Sequence, residues 1–128
     1  MSGELISSVM VAFDLTLNPL FDAIAQIKTG NGRHGKNVYQ LQDIYIDDVN
    51  RILGREEYKY EDKFDVGKSR EMMAIYWRKY GWLYKLKTGN EVSYYVLARI
   101  HNGGPDGWKK YATKRYAKRV MNLIEEKK

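Results

Sequence analysis

Two stretches gather most of the residues able to do chemistry: Ala25–Tyr45 (AQIKTGNGRHGKNVYQLQDIY) and Leu97–Lys110 (LARIHNGGPDGWKK). The first holds three cations, Lys28, Arg33 and Lys36, and no carboxylate lies between Asp22 and Asp43. An acid catalyst must carry a proton it can release near neutral pH. Lys28, with an ordinary pKa of about 10.4, is a poor donor, and its charge opposes any cationic transition state. Asp22 lies six residues before Lys28, more than one helical turn, and points elsewhere. The next carboxylate along the chain is Asp43, beyond the Tyr39-Gln40-Leu41 segment.

Other chemistries find less support. His34 and His101 are the only histidines and cysteine is absent, so no metal site is expected. The glycine-rich loop Gly30–Gly35 lacks the preceding strand and following helix of nucleotide fingerprints, so no cofactor is expected. In HNGGPDG (His101–Gly107) the glycines supply positive-φ backbone and Pro105 stiffens the turn. Tyr76, Tyr80, Tyr95 and Tyr116 recur at helical spacing, which predicts core rings with hydroxyls at the rim. Trp77, Trp82 and Trp108 are the candidates for exposed aromatic contacts. Lys114, Arg115, Lys118 and Arg119 share one face of a helix, which is either a solvated surface or one that meets phosphates or acidic protein.

The elements that position these residues read as helices. Leu5, Ile6, Val9, Met10 and Phe13 predict an opening helix. Asn18-Pro19 predicts the start of a second, with Leu20, Ile24 and Ile27 on one face and Gly30 as its stop. Residues 30–37 form a polar loop or tight hairpin, and Val38–Leu41 a brief extended segment. A third helix spans about Ile44 to Leu53, ended by Gly54. The charged stretch Arg55–Lys63 is a loop anchored by Tyr58, Tyr60 and Phe64. Asp65 caps a helix closed by Gly81. Another carries Val92, Tyr95, Val96 and Ile100, and Thr113 caps the last, with Tyr116, Val120, Leu123 and Ile124 inward. The expected class is mainly α, about six helices with at most a small β-hairpin.

The 128 residues, 44% hydrophobic, suit a single domain over 1–128 with one core. A chain this size buries roughly two-thirds of its unfolded surface. With no cysteine, disulfides and thiolate metal sites are excluded. No run approaches the roughly 20 apolar residues of a membrane span. The apolar run Val9–Phe13 sits between Glu4 and Asp14 without a basic leader, so it reads as helix and not as signal peptide. The expected location is the cytoplasm of a host cell or a virion. The net charge of +6 lies entirely in Trp108–Lys128, which has eight basic and two acidic residues; the rest is neutral.

Both stretches together resemble the lysozyme and lytic-transglycosylase superfamily, nearest to phage and bacterial relatives of invertebrate-type lysozymes. The family ends one helix in a pattern like I-E-S-G, whose glutamate is the catalytic acid. A Y-Q-I segment follows, and a later helix ends in a pattern like A-R-I-H-N-G-G-P-N-G. Here Ile27, Thr29 and Gly30 fit the first, Tyr39-Gln40-Leu41 the second, and Ala98–Gly107 the third almost letter for letter. Val49–Gly54 and the stretch from Tyr60 to Tyr80 are also family-like, so the likeness spans about Leu20 to Val120. It implies an α+β lysozyme-like fold with a glycan cleft lined by Tyr39, Gln40, His101, Asn102 and Trp108.

One departure decides what the resemblance implies for function. Lys28 stands where the glutamate belongs, and glycoside cleavage needs a carboxylic acid beside a second stabilising group. The expectation is a pseudoenzyme of phage or mobile-element origin that binds a macromolecule. The partner would be a cell-wall glycan, a virion component or a host protein, in the last case as an inhibitor of a host defence system. The first alternative is an active muramidase or lytic transglycosylase using Asp43. The second is nucleic-acid binding through the basic last helix.

Overall fold

In a computed structural model, residues 16–29 and 36–127 are described, with backbone alone for 28 and 29. The expected opening helix, the loop holding Arg33 and His34, and the side chain of Lys28 lie outside the described residues. Among the described residues five α-helices follow one another: α1 (Asn18–Thr29), α2 (Asp43–Leu53), α3 (Val66–Thr88), α4 (Tyr94–Gly103) and α5 (Lys114–Glu126). Single 3-10 turns intervene at Tyr60–Phe64, Gly107–Lys109 and Tyr111–Thr113. The fold is mainly α, with no strand among the described residues.

Residue chemistry sets the helix ends. Asp65 accepts from the Lys68 amide at 2.8 Å and Ser93 from the Val96 amide at 3.2 Å, capping α3 and α4. Gly54 (φ 74°) and Gly89 (φ 73°) close α2 and α3 in the left-handed region. α3 runs through Gly81, the expected stop, for 23 residues. A lone glycine costs a helix only about 1 kcal/mol. Packing of Tyr84 against Trp108 (5.2 Å between ring centres) and the lysines of the last turn favour continuation.

The core lies where α4 meets α1, α3 and α5. Leu20, Ile24, Ile46, Val49, Met72, Met73, Trp77, Leu97, Ile100 and Val120 are fully enclosed. Each such side chain contributes about 1.5–3 kcal/mol through removal from water. Trp77 is therefore core and not an exposed contact. Of the three expected loop anchors only Tyr58 packs, its backbone stitched to α2 by Asn50; Tyr60 and Phe64 are about half exposed (49% and 52%).

Between α4 and α5 the chain makes a tight elbow. Arg99, buried in α4, donates to Thr113 Oγ1 (2.8 Å) and to the Lys110 carbonyl (2.7 Å). The Thr113 hydroxyl has one proton, and it faces the Gly107 carbonyl at 2.7 Å and the Lys110 carbonyl at 2.8 Å. Thr113 precedes α5 as expected, but its side chain caps nothing, because the hydroxyl is committed inward to Arg99. Gly107 presses on the Arg99 backbone so closely that a Cβ there would lie 2.1 Å from its carbonyl oxygen.

Candidate functional site

A groove of about 1000 Å³ opens between α2, α3 and the end of α4. α2 presents Ile44, Tyr45, Asp48 and Arg51 at i, i+1, i+4 and i+7, one face of a helix. α3 adds Tyr76 and Tyr80, one turn apart, and His101–Pro105 with Lys110 form the far wall. Asn37 and Gln40–Gln42 close the remaining side.

That last segment is a turn, not the extended stretch expected from its sequence. Asn37 is the cause. Its amide donates to the Leu41 carbonyl (2.8 Å) and accepts from the Leu41 amide (2.9 Å), so the side chain occupies the bonds a strand would have made. The closed turn holds Gln40 at φ 53°, in the left-handed region. A side chain there costs about 1–2 kcal/mol.

The groove's base is aromatic. Tyr45 and Tyr76 stack at 3.9 Å between ring centres, Tyr80 meets Tyr76 edge-on at 4.7 Å, and His101 meets Tyr45 edge-on at 6.1 Å. Burial, reinforced by the charge of Asp48, pushes all three phenols well above their ordinary range, so the hydroxyls stay protonated donors. Tyr80 donates to Asp48 Oδ2 at 2.5 Å, and Arg51 donates to Asp48 Oδ1 at 2.6 Å. The Tyr45 hydroxyl is buried without a hydrogen-bond partner among the described residues. His101 Nε2 lies 3.1 Å from the Tyr39 carbonyl. A carbonyl only accepts, so Nε2 carries the proton.

Of the residues expected together in a cleft, Gln40, His101 and Asn102 line this groove. Tyr39 does not line it: the ring is buried beneath, its hydroxyl accepting from Arg70 Nε at 2.8 Å. Trp108 also lies outside, half-buried against Tyr84 with Lys109 over its ring at 5.8 Å. Asp43, the expected fallback acid, begins α2 between two groove residues but turns away to pair with Lys63 Nζ at 2.5 Å. Lys28 belongs to the last turn of α1, and no described side chain of α1 lines the groove. Lys114, Arg115, Lys118 and Arg119 are exposed on α5, away from it.

The sequence reading missed Asp48, the only carboxylate lining the groove among the described residues. Helical phase could have found it, since it follows Ile44 by four residues and Tyr45 by three. Among the described residues no cluster of His, Cys, Asp and Glu could hold a metal, and no helix is long and apolar enough to cross a membrane. No family model, curated protein or solved structure matches the chain.

Proposed function

We propose that this chain is a non-catalytic, lysozyme-like module that holds a stretch of cell-wall glycan in the tyrosine-based groove. One observation carries the reading: both oxygens of Asp48, the groove's one described carboxylate, are occupied by donors from Tyr80 and Arg51. A general acid must turn a protonated oxygen toward the bridging oxygen of the sugar. Asp48 instead braces the aromatic floor, and Lys28 replaces the glutamate that the family motif would place on α1.

The lining suits a saccharide better than a protein. Protein interfaces rely on desolvated apolar anchors, whereas this wall carries Asn37, Gln40, Gln42 and Asn102, with Ile44 its one strongly exposed aliphatic side chain. Amides offer paired donors and acceptors to sugar hydroxyls.

The test is titration with muropeptide fragments and chitin oligomers, followed by product analysis. Binding that weakens roughly tenfold or more in Gln40→Ala, with the saccharide intact after long incubation, is expected; a tenfold loss corresponds to one lost polar contact of about 1.4 kcal/mol. Turnover by the wild type would overturn the reading. If turnover then vanished in Asp48→Asn, the protein would be a glycosidase with a displaced acid, located at Asp48 in place of Asp43. A parallel Lys28→Glu variant asks whether the scaffold lost only its acid, in which case hydrolysis appears.

A further inference from the structure

Half of the basic residues in the charged C-terminal stretch lie on one helix away from the groove, and their arrangement is unfavourable for that helix. Lys114, Arg115, Lys118 and Arg119 occupy the first two turns of α5, at the positive end of the helix dipole, with no acidic residue in the first turn. Lys114–Lys118 and Arg115–Arg119 are like-charge pairs one turn apart, which also destabilise. Glu125 and Glu126 stand at the opposite end, again the unfavourable one, too far along the helix to neutralise the cations. None of the four cations makes an ion pair with a described residue, and all are exposed. A face serving only solubility would gain by the reverse order.

Directly before these cations stands Tyr111, 84% exposed, with Lys114 Nζ over its ring at 5.3 Å. A flat aromatic beside cations spaced about 6 Å apart along a helix matches a strand whose phosphates and bases alternate. An acidic protein would satisfy the charges but has no use for the ring. We infer that α5 and the turn before it bind single-stranded nucleic acid, with the four cations on phosphates and Tyr111 stacked on a base.

The experiment is fluorescence anisotropy of the full chain with a labelled, mixed-sequence single-stranded oligonucleotide, beside polyglutamate as an acidic competitor. Four phosphate contacts predict affinity falling about 50-fold between about 50 and 200 mM salt. Tyr111→Ala weakens binding about tenfold. The double variant Lys118→Glu/Arg119→Glu abolishes it, yet melts at or above the parent's temperature, because the new carboxylates relieve the dipole and pair with Lys114 and Arg115. Saccharide binding in the groove is unchanged in both variants, so failure here is separate from failure of the glycan reading. Oligonucleotide binding that ignores Tyr111→Ala, competition by polyglutamate at matched charge, or no binding at low salt would each overturn the inference.

Discussion

The elbow between α4 and α5 and the groove beside it share the stretch Leu97–Lys110, yet use its polar atoms in opposite ways. At the elbow, Arg99, Thr113 and the Gly107 and Lys110 carbonyls satisfy one another in a buried network. In the groove, the exposed amides of Gln40 and Asn102 face an open space. The motif that looks like a ligand loop is thus largely a joint. Only His101–Pro105 and Lys110 touch the groove, while Arg99 and Gly107 serve packing.

The sharpest way to break that contrast is Gly107→Ala. A methyl group 2.1 Å from the Arg99 carbonyl oxygen cannot be accommodated without moving α4 or the elbow, and the opposing atoms are backbone. Destabilisation of about 4 kcal/mol or more is expected, read as a fallen denaturant midpoint or loss of soluble protein. Near-parental stability would mean the elbow is slack and the division drawn here false.

Next in size is an alkaline effect that belongs to the groove. Burial raises the phenols of Tyr45 and Tyr76 in the fold, while in the unfolded chain they titrate at about 10. Protonated hydroxyls are therefore favoured by folding, and their contribution is complete below pH about 10. Above it the unfolded chain loses protons first, and stability falls by about 1.4 kcal/mol per pH unit for each ring until the folded pKa is reached. Urea unfolding at pH 8 and pH 11 measures this. Tyr45→Phe should shrink the difference, and an equal difference in the variant would remove Tyr45 from the account.

Thr113→Val comes third. It keeps the shape but leaves Arg99 Nε unpaired in a buried place, for a loss of about 1–3 kcal/mol by thermal melting. The groove should keep its ligand affinity, since Thr113 does not line it. A groove weakened in step with stability would show the two regions coupled.

How far these regions could be read from the sequence follows from the range of the forces involved. Helices α1 to α5 were legible because their signals are local: apolar spacing, Asp65 as a cap, Gly54 as a stop. Gly81 misled because a helix tolerates one glycine when its later residues find partners, and Trp108, the partner of Tyr84, is 24 positions away. Gln40, His101 and Asn102, singled out in the sequence, do share the groove. Asp48 was not singled out, because its importance depends on Tyr80, 32 positions away. Asp43 misled for the same reason: nothing nearby announces Lys63.

The smallest expected effect returns to the groove's edge. Gln40 sits at φ 53° because Asn37 closes the turn around it. Glycine adopts that backbone freely, so Gln40→Gly removes a strain of about 1–2 kcal/mol, while the freer unfolded chain takes back roughly 0.5–1 kcal/mol. The variant should be more stable by about 0.5 kcal/mol, seen as a small rise in melting temperature, and should hold saccharide less tightly because the amide is gone. Those two signs together are what a strained, ligand-facing residue requires: a local cost retained for contact with something outside the chain. At the elbow no substitution should behave this way, because there each polar group already has its partner and removal can only destabilise. A variant less stable than the parent would mean that Gln40 supports the turn, and the groove wall would then be built for folding, like the elbow.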